Sequence, residues 1–422
     1  MSQTFVIHGG KPLSGQVTIG GSKNAFFPLV AACMLTKEEC ILENVPTISD
    51  VDLMVQIAQD LGARAEWDQV NHRLAIEARD VKGICPDPAL SRKLRGSIVF
   101  AGALVGRMKK AAVAYPGGDA IGARPLTEHF KALESFGVTI KENECIELNG
   151  ENLHGAVFAM DDPSVTATEN AILAAVLAPG KTVMSLVAME PHVQELVKFL
   201  TKMGAKIQWS DRLRIEIEGV KELRGATYTI NPDELEVSAF AALAAATRSE
   251  VILNGIEPKY LDAVFGQFNK MGVVYEIDGH NLIVRRPSIG YKNSRIQSGL
   301  YPKLMSDHLP SFAVLATQAE GTSMVHEWMY ENRLRYIPEL QKMGTDCEIL
   351  DPHRALITGP SVLTGTEIES FDIRSGMTLV IAALVAEGKS VISNIEHIDR
   401  GYEKLESRLK DLGADIERVL SE

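Results

Sequence analysis

No apolar run in the chain approaches the roughly 20 residues that a bilayer span needs. The first ten residues also lack the apolar core of a secretion signal. The expectation is a cytoplasmic protein with no membrane segment. Cysteine is scarce and dispersed: Cys33, Cys40, Cys85, Cys145 and Cys347 include no CxxC spacing. Such a set argues for free thiols in a reducing compartment rather than disulfides or a zinc cage. The ten histidines show neither HxxxH nor HExxH, so no protein-built metal site is expected and no cofactor is called for. Positive charge is in deficit, with a formal net charge of -12. That excludes general binding to nucleic acid or anionic membranes but leaves room for a local basic pocket that takes a small anion. A dinucleotide-binding glycine fingerprint is missing as well, and no feature points to an obligate protein partner.

What the chain has is length and repetition. At 422 residues it exceeds one ordinary domain, and two domains are the default. Six times a large apolar residue is followed by glycine at the end of a helix-like run: Gly62, Gly137, Gly204, Gly272, Gly344 and Gly413. Successive positions differ by 75, 67, 68, 72 and 69 residues. Each glycine closes an amphipathic pattern with apolar residues at i, i+3, i+4 and i+7, for example 193–203 or 402–412. It stands where a helix C-cap needs a left-handed residue, and an alternating strand such as 205–209 or 273–277 follows. Upstream in each copy lies a second helix, alanine-rich and apolar almost all round: 24–35, 93–105, 168–177, 237–246, 309–317 and 377–386. Helices with so little polar surface must be buried. The pattern predicts an α/β protein with three units per domain, apolar helices inside and sheets outside. Ligands are expected between the domains, where clefts form.

One stretch breaks the repeat. Residues 115–125 hold three glycines and two prolines around one acid, Asp119, and one arginine, Arg124. This cannot be a stable helix or a central strand. Placed between an apolar run at 111–114 and a helix-like run at 127–136, it reads either as a solvated surface turn or as a lid over an anionic substrate.

The six units and this loop together resemble the enolpyruvyl transferase family over essentially the whole chain. The resemblance rests on Gly20-Gly21-Ser22-Lys23-Asn24-Ala25, Ser49-Asp50-Val51-Asp52, Leu94-Arg95-Gly96-Ser97, the lid Pro116 to Pro125, Asp372-Ile373-Arg374-Ser375, and His397 to Glu403. It implies the EPSP synthase-like fold, a two-domain inside-out α/β barrel of six repeated units. One domain would comprise 1–22 plus 232–422 and the other 23–231, carrying the lid 115–125, with the active site in the interdomain cleft. The implied reaction moves the enolpyruvyl group of phosphoenolpyruvate to the 3-hydroxyl of UDP-N-acetylglucosamine and releases phosphate, the first committed step of peptidoglycan synthesis. The alternatives are another nucleotide or sugar-nucleotide acceptor, or a non-catalytic paralogue that binds a nucleotide sugar.

By the same resemblance Lys23, Arg124 and Arg400 would clamp phosphoenolpyruvate, with Arg95 beside them. Asp119 would be the lid's general acid, standing where most members have cysteine. A carboxylate is a poor nucleophile toward an epoxide, so resistance to the epoxide antibiotic fosfomycin is implied. Asn24, Pro125, Ser164, Val165, Asp233, Asp372 and Arg374 complete the implied substrate contacts. On the acceptor side the sequence departs from the pattern. Leu304 stands where ungapped register expects the base, which leaves Asp307 or His308 to take over or proton removal to be done elsewhere. Asp307 can equally be the N-cap of the following helix, and Asn24 can be an N-cap as well. Thr127, Asp162 and Glu234 also replace usual residues.

Overall fold

Two helices from each copy of the repeat carry the architecture. The computed structural model describes residues 3–82, 85, 87–211 and 213–420. Numbered in chain order, the first six of these helices are α1 (Lys23–Cys33), α2 (Ser49–Asp60), α3 (Phe100–Met108), α4 (Thr127–Ser135), α5 (Val165–Ala175) and α6 (Pro191–Lys202). The second six are α7 (Glu234–Ala246), α8 (Asp262–Met271), α9 (Leu309–Thr317), α10 (Tyr336–Lys342), α11 (Ile373–Val385) and α12 (Leu405–Asp411).

The odd-numbered helices are the buried set. All 13 residues of α7 and all 9 of α9 are buried. With no polar face to solvate, each must pack on other helices: α3 lies on α5, and α9 on both α7 and α11. The even-numbered helices are amphipathic. In α6, Val193, Leu196, Phe199 and Leu200 face inward while Lys198 and Lys202 stay out. All six repeat glycines that follow these helices have φ between +78° and +102°, the left-handed geometry the spacing predicted.

The strands form six sheets among the described residues. Lys181–Ser185 runs parallel to Val157–Ala159 and antiparallel to Arg214–Glu218. Glu250–Asn254 repeats the plan with Ser14–Thr18 and Asn281–Val284. Strand burial alternates, as in Arg214–Glu218, so each sheet turns one face to the helices and one to solvent. The result is an α/β fold with helices inside and sheets outside.

The chain divides into two units. Unit 1 comprises Met1–Gly20, Asp119–Ala123 and Pro232–Glu422; unit 2 comprises Gly21–Gly118 and Arg124–Asn231. Each has its own core. Phe26, Phe100, Phe136 and Phe199 anchor that of unit 2. Phe5, Phe240, Phe268 and Phe312 anchor that of unit 1, with the Phe268 and Phe312 ring centroids 5.1 Å apart. Each such ring adds about 1.5–3 kcal/mol by leaving water.

Three local expectations are corrected. Cys85 and Cys145 form a disulfide, and Cys33, Cys40 and Cys347 are free. The fold brings together two residues 60 apart in sequence, which spacing alone could not show. The second buried helix starts later than expected, because 95–99 forms a 3-10 turn before α3. The N-cap of α1 is Ser22, whose Oγ accepts from Ala25 N at 3.3 Å, and Asn24 lies one residue inside the helix.

Candidate active site

In unit 2 the site residues are set by the start of α1. Ser22 N donates to Asn231 O at 2.8 Å, which ties this cap to the end of the unit. Lys23 follows as the first helical residue, its side chain only 10% exposed. Its Nζ lies 3.5 Å from Asp50 Oδ2 and 5.6 Å from the Phe27 ring centroid. Asp50, fully buried in the first turn of α2, supplies the countercharge that lets a lysine sit so deep.

The lid root is also held within unit 2. Gly117 N donates to Ser91 O at 3.2 Å, and a Cβ at Gly117 would fall 1.6 Å from Arg92 O. Arg95 Nη2 donates to the carbonyls of Arg124 and, at 3.4 Å, Pro125. Arg95 therefore grips the backbone on which Arg124 is mounted.

Ser164 is the N-cap of α5, without a side-chain cap bond, and Val165 begins the helix. Behind them His129 is buried. Its Nε2 meets Thr166 Oγ1 at 3.0 Å, and its Nδ1 meets Asn170 Nδ2 at 2.8 Å. Burial, reinforced by the charge of Arg95, pushes the His129 pKa down to about 3, so the ring is neutral. Thr127 and Asp162 are exposed nearby in sequence.

In unit 1 the predicted residues gather around two arginines. Asp307 accepts from Arg333 Nη2 and, at 3.2 Å, from Arg374 Nε. Arg333 Nη1 lies 3.7 Å from Asp372 Oδ1. Arg374 Nη1 donates to Tyr402 Oη at 3.2 Å. Asp372 caps α11 through a capping box with Ser375, accepting from Arg374 N at 2.9 Å and Ser375 N at 3.1 Å. Asp233 caps α7 without such a box, accepting from Leu235 N at 2.8 Å and Glu236 N at 3.2 Å.

Burial opposes charge on both guanidiniums, yet the facing groups more than offset it. Asp307, Asp372 and Glu327 raise Arg333, while Tyr402, Asp307 and Asp233 raise Arg374. Burial pushes Asp233 upward although Arg374 pulls the other way. It also pushes the Tyr402 phenol up to about 12.

Asp307 does not cap the following helix. It sits inside the 3-10 turn Ser306–His308, whose cap is Met305. Its side chain is 31% exposed. His308 is buried against Ser238, Nδ1 to Oγ 2.7 Å, and burial pushes its pKa down to about 3. Leu304 belongs to the core. Of Asp307 and His308, the carboxylate is the partly exposed group.

The lid tip belongs to this unit. Arg400 Nη1 donates to Asp119, and the two side chains are 17% and 13% exposed. Sequence reasoning passed over Arg333 and Glu331. The Asn332-Arg333 pair carries no repeat signal, and the partner Asp307 lies 26 residues away. A cavity of about 890 Å³ opens in unit 2 beside Leu35, Arg107 and Lys221, but none of the predicted site residues lines it. Arg107 there donates to the carbonyls of Met34 and Thr36 at 2.6 and 2.9 Å, so its charge answers the C-terminus of α1.

This combination of a sixfold repeat, an acid-bearing lid and deeply set cations defines a class. The profile of the EPSP synthase (3-phosphoshikimate 1-carboxyvinyltransferase) family matches residues 7–409, and the chain belongs to that family of enolpyruvyl transferases. Among its relatives, the chain is 42% identical to the UDP-N-acetylglucosamine 1-carboxyvinyltransferase of Treponema denticola, over 98% of both chains. It is 41% identical to the protein of that name from Bradyrhizobium diazoefficiens, again over 98% of each. Among solved structures, the enolpyruvyl transferase NikO from Streptomyces tendae superposes with a TM-score of 0.92 at 24% identity over all of both chains. EPSP synthase from Acinetobacter baumannii gives 0.76 at 19%, also over all of both chains. These two likenesses concern the fold. No helix among the described residues is long and apolar enough to cross a membrane.

Proposed function

We propose that the protein transfers the enolpyruvyl group of phosphoenolpyruvate to the 3-hydroxyl of UDP-N-acetylglucosamine, releasing phosphate, in peptidoglycan synthesis. The observation that carries this reading is 42% identity across 98% of a relative bearing that activity's name, with Lys23, Asp119, Arg124 and Arg400 all present. In the addition step the acceptor oxygen bonds to C2 of phosphoenolpyruvate while a proton passes to C3. In the elimination step the C2–O bond to phosphate breaks and C3 gives up a proton.

Asp119 is the acid for C3, and Arg400, its neighbour, is a cation for the substrate's anionic groups. Asp307 takes the hydroxyl proton, its carboxylate oriented by Arg333 and Arg374. Lys23 and Arg124 neutralise charge on phosphate and carboxylate, and Arg95 fixes the carbonyl of Arg124. Ser164, Val165, Asn24, Pro125 and Asp233 contact the sugar nucleotide, while Asp372 and Arg374 hold the acceptor side in place. The second reading, a different sugar-nucleotide acceptor, is favoured by Thr127 and Asp162, because an exposed acid adds repulsion toward a diphosphate. Phosphate release from phosphoenolpyruvate with a panel of UDP-sugars decides. Turnover with UDP-N-acetylglucosamine alone is expected, turnover only with another sugar would favour the second reading, and no turnover with any would sink both.

A further inference from the structure

Within unit 1 the lid tip is held at more than Asp119. Ala123 N donates to Glu331 Oε1 at 2.8 Å, and Asn332 N donates to Ile121 O at 3.0 Å. Gly122 between them has φ +149°, and a Cβ there would fall 2.4 Å from Glu331 Oε2. Glycine at 122 is thus what lets the carboxylate approach the tip so closely.

The segment that presents Glu331 is itself fixed. Glu327, fully buried, accepts from Met329 N at 2.8 Å, Tyr330 N at 3.2 Å and Ser306 Oγ at 2.7 Å. Its backbone is anchored at His353, Glu327 N to His353 O 2.8 Å and His353 Nδ1 to Glu327 O 2.9 Å. Glu331 in turn is exposed to solvent. Backbone N–H groups, its own and that of Ala123, hold its carboxyl below the usual range. Besides its own N–H and the charge of His353, the partner of the carboxylate is the lid.

We propose that Glu331 is the latch of the lid, a positioning residue that holds the tip at Ala123 and so keeps Asp119 at Arg400. This rests on the assignment of Asp119 as the acid. Glu331 touches lid backbone and not substrate, so its loss falls on turnover rather than on substrate affinity.

Two readouts test it. Thermolysin cleavage at the Ala120–Ile121 bond, followed by mass spectrometry, reports release of the tip without reference to activity. Steady-state kinetics report Asp119. Glu331→Ala is expected to speed cleavage and lower kcat, each about tenfold or more for one charge-assisted hydrogen bond, with both KM values within about twofold. Glu331→Gln, which keeps an acceptor oxygen, is expected to stay near wild type in both. Wild-type cleavage in Glu331→Ala, or faster cleavage with unchanged kcat, overturns the latch. A wild-type enzyme that releases no phosphate would instead sink the functional assignment, and the cleavage comparison would still decide whether Glu331 holds the tip.

Discussion

The two units repeat one plan three times each, yet they differ in how far their buried charges are joined into one network. Unit 1 joins them: Arg333, Asp307, Asp372, Arg374 and Tyr402 form one connected group. Arg408 is likewise paired with Glu236. Unit 2 relies more on neutral groups, such as the His129, Asn170 and Thr166 chain. It also buries two carboxyls, Glu169 and Glu190, each with an oxygen that has no hydrogen-bond partner among the described residues. Fold and charge placement are thus separable. The repeat needs only apolar helices and left-handed glycines, so the remaining positions were free to specialise.

The largest effect that would test this contrast lies in the lid. Asp119→Asn keeps the shape but has no proton to give. It is expected to lower kcat on the order of 10²–10⁴-fold with an unchanged unfolding curve. Asp119→Cys is expected to keep turnover and to become sensitive to fosfomycin. Full activity in Asp119→Asn would remove the acid from the mechanism.

Next comes the paired network of unit 1. Arg333→Ala takes a guanidinium from Asp307 and from Asp372, whose side chain is 4% exposed and keeps its N-cap bonds. Urea unfolding should show a loss of about 3 kcal/mol, the low end for a broken buried pair because Asp307 is partly solvated. A loss below about 1 kcal/mol would mean that water replaces the guanidinium.

The smallest effect has the opposite sign and belongs to unit 2. Burial raises Glu190 from 4.5 to about 7. An acid with a raised folded-state pKa costs nothing below about 4.5, costs progressively more as pH rises through about 7, and is a fixed burden above that. Glu190→Gln should therefore stabilise the protein at pH 8 by about 2–3 kcal/mol, and the gain should vanish near pH 4.5. A gain that is the same at both pH values would show that Glu190 is not ionising in place.

Much of the fold was legible because its signals are local. The apolar periodicity of α7 and α9, and the glycines after α2 to α12, can be read within a dozen residues. The site was legible only as single residues. Asp119 and Arg400 are 281 positions apart and Asp307 and Arg374 are 67 apart, so their pairing exists only in the folded chain. Read in ungapped register, the segment 301–308 puts Leu304 at the base's place and leaves Asp307 and His308 as candidates. The structure sends Leu304 into the core and leaves Asp307 facing out. The Cys85–Cys145 bond was missed for the same reason of distance.

The strand Gln3–His8 lies in the middle of its sheet, between Lys389–Ser393 and Asp415–Leu420. On the ribosome it emerges with both edges bare and waits about four hundred residues for its partners. Nearly everything unit 2 requires has been synthesised by Asn231. A nascent chain therefore passes through a long interval with one unit able to finish and the other holding an open sheet, the kind of edge on which chains aggregate. Synthesis halted in the second half of the message would release that species, and chaperones would meet this protein chiefly as an unfinished unit 1.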